Sequence, residues 1–204
     1  MKGSAAAQRA AFADICSELG PDAPTLCEGW ATKDLVAHCY VREHRPDALP
    51  GVLPLGPLST YTERVMASAL RVHPYATLVD RLRTPPPWIR PIDDGVNTVE
   101  FFVHTEDVRR ANGRDPRPTD DALERFVWPR LRRQAKLMFR RVPAYVRLVP
   151  DDVAGEAYVG KGGPAIGVHG RPTEMLLLAY NRKDAARVRV VGDRDVLWSA
   201  RLGL

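Results

Sequence analysis

The feature that most constrains this chain is a change of apolar periodicity at Pro143. Upstream of it, apolar residues recur at helical spacing in separate stretches, each closed by proline or glycine. In residues 3 to 19, Ala7, Ala10, Phe12, Ile15, Cys16 and Leu19 fall near one face, and Gly20 and Pro21 end the run. TKDLVAHCYVREHR forms a second helix, with Thr32 as N-cap, Asp34 in its first turn and Pro46 at its close. PDALPGVLPLGP is a loop. LSTYTERVMASAL and PYATLVDRLRT are further helices, and PPPWIRPIDDG is a rigid connector. A helix over about 97 to 112 follows, with Gly113 as its C-terminal signal. TDDALERFVWPRLRRQAKLMFRR is a long helix with Thr119 as N-cap, in which Pro129 implies a kink or break.

After Pro143 the period changes to two. AYVRLVP alternates as a strand does, and GEAYVGKGG and PAIGVHG hold two more strands around a glycine turn. RPTEMLLLAYNRKDAA is a helix and RVRVVGD a last strand. The expected architecture is therefore mostly α: a helical domain over residues 1–142 and a small α+β domain over 143–204.

A hydrophobic content of 45% and a charged content of 27% allow a real core and exclude disorder by composition. No run of about 18 apolar residues exists, so no membrane partner is expected. Arg9 and Asp14 interrupt the N-terminal apolar run, so a helix rather than a signal peptide is expected there. Three sparse cysteines, Cys16, Cys27 and Cys39, form no CxxC pair and point to a reducing cytoplasm. The net charge of +5 comes mostly from scattered arginines mixed with acids. The densest cluster, WPRLRRQAKLMFRR, has the pattern of one solvated helix face, so no nucleic-acid partner is expected and an anionic small molecule fits the charge.

The chemistry concentrates in NTVEFFVHTEDVRRANG. Glu100 and His104 stand four residues apart, stacked on one helix face and able to reach one ion. A catalytic zinc takes three protein ligands and keeps one position open, so a third ligand must come from another helix. His38, mid-helix among apolar neighbours in DLVAHCYV, is the candidate; His44, His73 and His169 lie at a helix end, in a loop and in the glycine-rich C-terminal part. Spacing alone leaves two readings open: a His38–Glu100–His104 site, or a surface pair plus a buried histidine. Against the second, the run around Glu100 and His104 is too apolar for a fully solvated face.

These residues also carry a resemblance. LCEGWATKDLVAHCYVREHRPDALPG resembles the N-terminal motif of the mycothiol-dependent maleylpyruvate isomerase family, within the DinB-like helical-bundle superfamily. NTVEFFVHTEDVRRANGRDPRP resembles its second motif, Glu-x-x-x-His followed by an aspartate and Ala-x-Gly. An actinobacterial subgroup of metal-binding proteins shares the Arg-Glu-x-Arg-Pro-Asp run, here Arg42 to Asp47. RPTEMLLLAYNRKDAARVRVVGD resembles the small C-terminal domain that such proteins append. The resemblance covers most of the chain and implies a four-helix bundle holding a divalent metal, usually zinc, on His38, Glu100 and His104, with mycothiol or a similar thiol as cosubstrate.

The expected function is a metal-dependent transferase or isomerase that uses a low-molecular-weight thiol against a small electrophilic substrate. Its rivals are a metal-dependent hydrolase, with a metal-bound water as nucleophile and Asp107 or Glu106 as general base, and a non-catalytic metal-binding module. Arg42 and Arg45, one and two turns beyond His38, either hold a carboxylate of the thiol or substrate or pair with Glu43, Asp47 or other acids. Asp107 either orients a ligand from behind or bridges to Arg110 or Arg42. Asp34 has the same choice, and its place at the helix N-terminus explains it. Cys39 points away from His38 into the core, Cys27 sits in a loop with thiol exchange as its functional alternative, and Trp30 anchors that loop.

Overall fold

A computed structural model describes residues 4–45 and 58–203. The PDALPGVLPLGP loop and Asp47 lie outside the described residues. The described chain is mostly α, with helices α1 (Ser4–Leu19), α2 (Thr32–His44), α3 (Leu58–Val72), α4 (Tyr75–Leu82), α5 (Asp93–Ala111), α6 (Asp121–Met138), α7 (Pro172–Ala179) and α8 (Arg194–Ser199). Four strands, β1 (Tyr145–Pro150), β2 (Ala157–Gly160), β3 (Ala165–Gly170) and β4 (Arg189–Val191), form one sheet. No described helix is long and apolar enough to cross a membrane.

The chain divides into two compact units, Met1–Arg117 and Pro118–Leu204. The boundary expected near residue 142 falls inside the second unit, because α6 packs on α7 and β2. In the first unit α1 packs on α5 and α4, and α2 on α3 and α4. Phe12, Ile15, Leu35, Val36, Leu78, Leu82, Phe101 and Val108 form its main apolar cluster. Cys39 is part of that cluster, which accounts for its inward direction.

The second unit orders its strands β2-β1-β3-β4. β1 runs antiparallel to β2 and parallel to β3, and β3 runs antiparallel to β4. Val146 and Leu148 of β1 are buried, as are Ile166 and Val168 of β3, so each strand buries alternate residues. Glu124 ties α6 to the start of α7: its Oε2 accepts from Thr173 N at 2.9 Å and its Oε1 from Thr173 Oγ1 at 2.9 Å. α7 is shorter than its apolar run suggests, ending before Asn181, which takes a left-handed φ of 68°.

Three helix starts differ from expectation. Ala31, not Thr32, stands at the N-cap of α2, which begins at Thr32. Asp120, not Thr119, caps α6 and accepts from Leu123 N at 2.8 Å. Pro129 sits inside one unbroken α6. α5 begins a turn early, with Asp93 and Asp94 in its first turn, where acidic side chains meet the positive end of the helix. That extra turn places Asp93 and Asn97 on the same helix as Glu100 and His104. At the other end Gly113, at φ 66°, closes α5. Arg114 N bonds Arg109 O at 2.9 Å and Gly113 N bonds Arg110 O at 3.3 Å, the paired bonds of a glycine-terminated helix.

Candidate metal centre

α5 is buried on nearly all sides, with Phe101, Phe102, Val103 and Val108 in the core. Its polar residues at 93, 97, 100, 104 and 107 follow a 4-3-4-3 spacing, which sets them along one stripe. That stripe faces side chains from α1, from α2 and from the loop before α2.

His38 of α2 meets this stripe. Its Nε2 lies 3.2 Å from Glu100 Oε1, and His104 Nε2 lies 3.2 Å from the same oxygen. The imidazole centroids are 5.5 Å apart and edge-on, at 82°. All three ligand atoms fall within 4.8 Å of one another. Bonds of about 2.0–2.2 Å in a tetrahedron put neighbouring ligand atoms about 3.3–3.5 Å apart, so these separations fit one small divalent ion. Two imidazoles and a carboxylate suit zinc and similar ions, and three protein ligands leave a fourth position open. Trp30 packs on His38, with ring centroids 5.3 Å apart and tilted by 53°.

The groups behind the ligands are also placed. His104 Nδ1 lies 3.1 Å from Asp107 Oδ2. A proton held on Nδ1 by that carboxylate leaves the Nε2 lone pair facing Glu100 and His38, which is the tautomer a ligand needs. Asp107 is fully buried behind the ring. Glu106 faces elsewhere, accepting from Arg110 Nε at 2.8 Å and from Arg117 N at 3.3 Å. Asp107 is thus bonded to His104, and Glu106 to Arg110 and Arg117.

Arg42 turns inward. It bonds the Asn97 side chain through Nη1, donates from Nη2 to Val96 O at 3.0 Å, and holds Nε 3.5 Å from Glu100 Oε1. Its partners are thus Asn97, Val96 and Glu100. Arg45 turns to α3, where Nη2 donates to Tyr61 Oη at 3.3 Å. Asp34 accepts from Ala31 N at 2.9 Å and serves the start of α2. His44 Nδ1 donates to Tyr40 O at 3.1 Å, and the ring stacks on Tyr40 at 4.4 Å. His73 sits beside Tyr40 and Arg81, and His169 lies on β3 of the second unit.

The electrostatics favour a positive charge at the centre of the cluster. Burial pushes the Glu100 carboxyl up, but hydrogen bonds from His104 and His38 and the charges of His104 and Arg42 outweigh it and hold it well below the usual carboxylate range. Burial pushes His104 down, and bonding to Asp107, Cys27 and Glu100 carries it well above the ordinary imidazole value. Two carboxylates, of Glu100 and Asp107, flank one ring and compete to have it cationic. A divalent ion meets the same demand as the proton.

Beyond the expected residues, a buried network supports Glu100. Arg9 of α1 is fully buried and bridges Glu43 and Asp93: Nη1 donates to Glu43 Oε2 at 2.8 Å, Nε to Asp93 Oδ2 at 3.1 Å, and Nη1 also to Leu82 O at 3.0 Å. Asn97 Nδ2 donates to Glu43 Oε1 at 2.8 Å and to Asp93 Oδ1 at 2.6 Å. Both amide protons are thereby committed, which aims Oδ1 at Arg42. A continuous chain of bonds runs from α1 through Asn97 and Arg42 to Glu100. The 4-3-4-3 polar stripe was the sequence signal for Asp93 and Asn97. Cys27 carries no such signal, yet its Sγ lies 3.3 Å from Asp107 Oδ2.

Comparison of the chain with known protein families, with curated proteins and with solved structures finds no match in any of the three.

Proposed function

We propose that the first unit is a DinB-like helical bundle built around one divalent ion, with zinc the expected metal and His38, Glu100 and His104 its ligands. We further propose that the protein is a transferase or isomerase that uses a low-molecular-weight thiol, of mycothiol type, against a small electrophilic substrate. One observation carries the reading: two imidazole nitrogens from different helices converge on a single oxygen of Glu100, while Asp107 fixes the far side of His104.

When bound, the ion would supply charge that strongly lowers the pKa of a coordinating thiol and so makes a nucleophile at neutral pH. The chain's own residues prepare that position. Asp107 keeps the His104 proton on Nδ1. Asn97 and Arg42 hold Glu100 in register. Trp30 packs against the His38 ring. The thiol reading is favoured over hydrolysis because Glu106 is bonded to Arg110 and Asp107 to His104, and a coordinated thiol needs no separate general base.

The test is metal content, measured by plasma emission on untagged protein purified without chelator, for the wild type and for His104→Ala. About one zinc-like ion per chain in the wild type, falling at least tenfold in the variant, supports the centre. Loss of free thiol in the presence of an electrophile, by the loaded wild type and not by His104→Ala, then supports the chemistry. A metal-free wild type overturns the whole proposal.

A further inference from the structure

The imidazole of His104 has two sides, and the second is furnished like the first. Nε2 faces Glu100 and His38; Nδ1 faces Asp107 and Cys27. The Cys27 sulfur, the His104 nitrogen and an Asp107 oxygen lie within 4.8 Å of one another. Asp107 Oδ2 stands 3.1 Å from His104 Nδ1 and 3.3 Å from Cys27 Sγ. Bonds of about 2.0–2.3 Å to nitrogen, oxygen and sulfur put tetrahedral neighbours about 3.3–3.6 Å apart. Two edges of the triangle thus fall within a few tenths of an ångström of the spacing of zinc ligands, and the third, from Cys27 Sγ to His104, lies within 4.8 Å.

The thiol is held there by its loop. Leu26 N donates to Asp107 O at 3.2 Å, and Asn112 Nδ2 donates to Pro24 O at 2.9 Å, so the loop is bonded to α5 on the N-terminal side of Cys27. Thr25 Oγ1 donates to Trp30 O at 2.8 Å and accepts from Cys27 N at 3.1 Å, while Trp30 N donates to Cys27 O at 3.0 Å. Both backbone groups of Cys27 are bonded. Among the three cysteines it alone is not buried.

We propose that Cys27, Asp107 and Nδ1 of His104 form a second metal position, selective for a soft divalent ion such as Cd2+, which cannot be filled together with the His38–Glu100–His104 position. Selectivity follows from the donors: the first set has nitrogen and oxygen only, whereas a thiolate favours softer ions. Exclusion follows from the ring. A neutral imidazole offers one lone pair, so an ion on Nε2 leaves Nδ1–H bonded to Asp107, and an ion on Nδ1 leaves Nε2–H bonded to Glu100. The second position rests on the proposed function only for this competition; its ligand triangle stands without it.

The experiment is a Cd2+ titration of metal-free protein, followed by the thiolate-to-cadmium charge-transfer band in the near ultraviolet, on the wild type, Cys27→Ser and His38→Ala. The band is expected in the wild type and in His38→Ala and lost in Cys27→Ser. Zn2+ at about ten times its own dissociation constant should raise the Cd2+ midpoint about tenfold in the wild type. Cd2+ binding to the wild type without the band, or no Cd2+ binding, overturns the second position without recourse to any variant. A band that survives in Cys27→Ser also overturns it. Two ions bound at once overturn the exclusion. A wild type that binds no Zn2+ yet shows the band would sink the proposed centre and leave this position standing.

Discussion

The two units bury different things. Among the described residues, twelve of the fifteen buried polar or charged side chains belong to the first unit, and the second buries only Glu124, Thr173 and Glu174. The second unit is held by a conventional interior: Val146, Leu148, Ile166 and Val168 on the sheet, with Met175, Leu176, Leu177 and Leu178 on α7. Apolar burial of this kind is non-directional, and its side chains can exchange for others of similar volume. The first unit places a guanidinium, two carboxylates and an amide around α5, each satisfied by a named partner. Such networks fix one arrangement, because any displacement strands a buried charge. What the contrast teaches is that the first unit carries more fixed polar geometry than folding a bundle requires, and that geometry leads to Glu100.

The sharpest break of this comparison is Arg9→Met. It removes the one cation between Glu43 and Asp93 and leaves two carboxylates buried without it. Losing one partner of a buried ion pair costs about 3–5 kcal/mol, and chemical denaturation followed by circular dichroism should show a loss of that size. A loss below about 1 kcal/mol would mean that water, not Arg9, satisfies the acids.

The matching break in the second unit is Leu177→Ala, at a fully buried position on α7. A buried Leu→Ala change costs about 2–5 kcal/mol through lost transfer energy and the cavity left behind. It should leave the metal content of the first unit unchanged. If Leu177→Ala lowered metal content while Arg9→Met did not, the contrast between a positioning interior and a packing interior would fail.

Much of this was legible in the sequence, and the remainder has definite physical reasons. Helical spacing and breakers located α1 to α6, and period-two alternation located all four strands. Glu100 and His104 announce themselves by i,i+4 spacing, and His38 by its apolar surroundings. Arg9 does not, because a basic residue in an alanine-rich helix looks solvated until Glu43 and Asp93 are seen to surround it. Asp93 was assigned to the connector because the prolines before it are stronger signals than a helix start. The sequence leaves Arg42 as either an anion anchor or a partner of nearby acids, since nothing local predicts Asn97, which lies 55 positions away. Cys27 comes to Asp107 through a loop whose path depends on bonds from Leu26 and Asn112 to distant residues. The division after Arg117 carries no sequence signal, because α6 has the same helical period as the bundle helices, and period does not say which neighbour a helix packs on.

A smaller effect separates positioning from packing within the first unit. Asn97→Leu keeps the branched shape of the side chain but frees Arg42 from its acceptor and removes the amide's bonds to Glu43 and Asp93. Loss of a group that orients a metal ligand weakens binding by about 10- to 100-fold; about tenfold is expected here, since Arg42 retains Val96 O. In an Arg42→Met background the same change should have no effect on the metal dissociation constant, because Asn97 reaches Glu100 only through Arg42. Additive losses in the double variant would mean that Asn97 matters for structure alone.

The smallest effect contrasts the buried acids of the first unit with an exposed pair in the second. Hydrogen bonds from Arg147, with Tyr158 Oη 2.6 Å from the same carboxylate, hold Glu156 at about 2, down from an ordinary 4.5. A carboxyl depressed in the folded state adds stability above its unfolded value, and that stability fades as pH falls through the folded one. Arg147→Ala should therefore be slightly less stable than the wild type at neutral pH, and the difference should close as pH falls from 4.5 towards about 2. Both groups reach solvent, so added salt should erase the difference at any pH. A gap that widens on acidification, or that survives high salt, would show that this pair behaves like the acids around Arg9, and the contrast between the units would then lie in something other than burial.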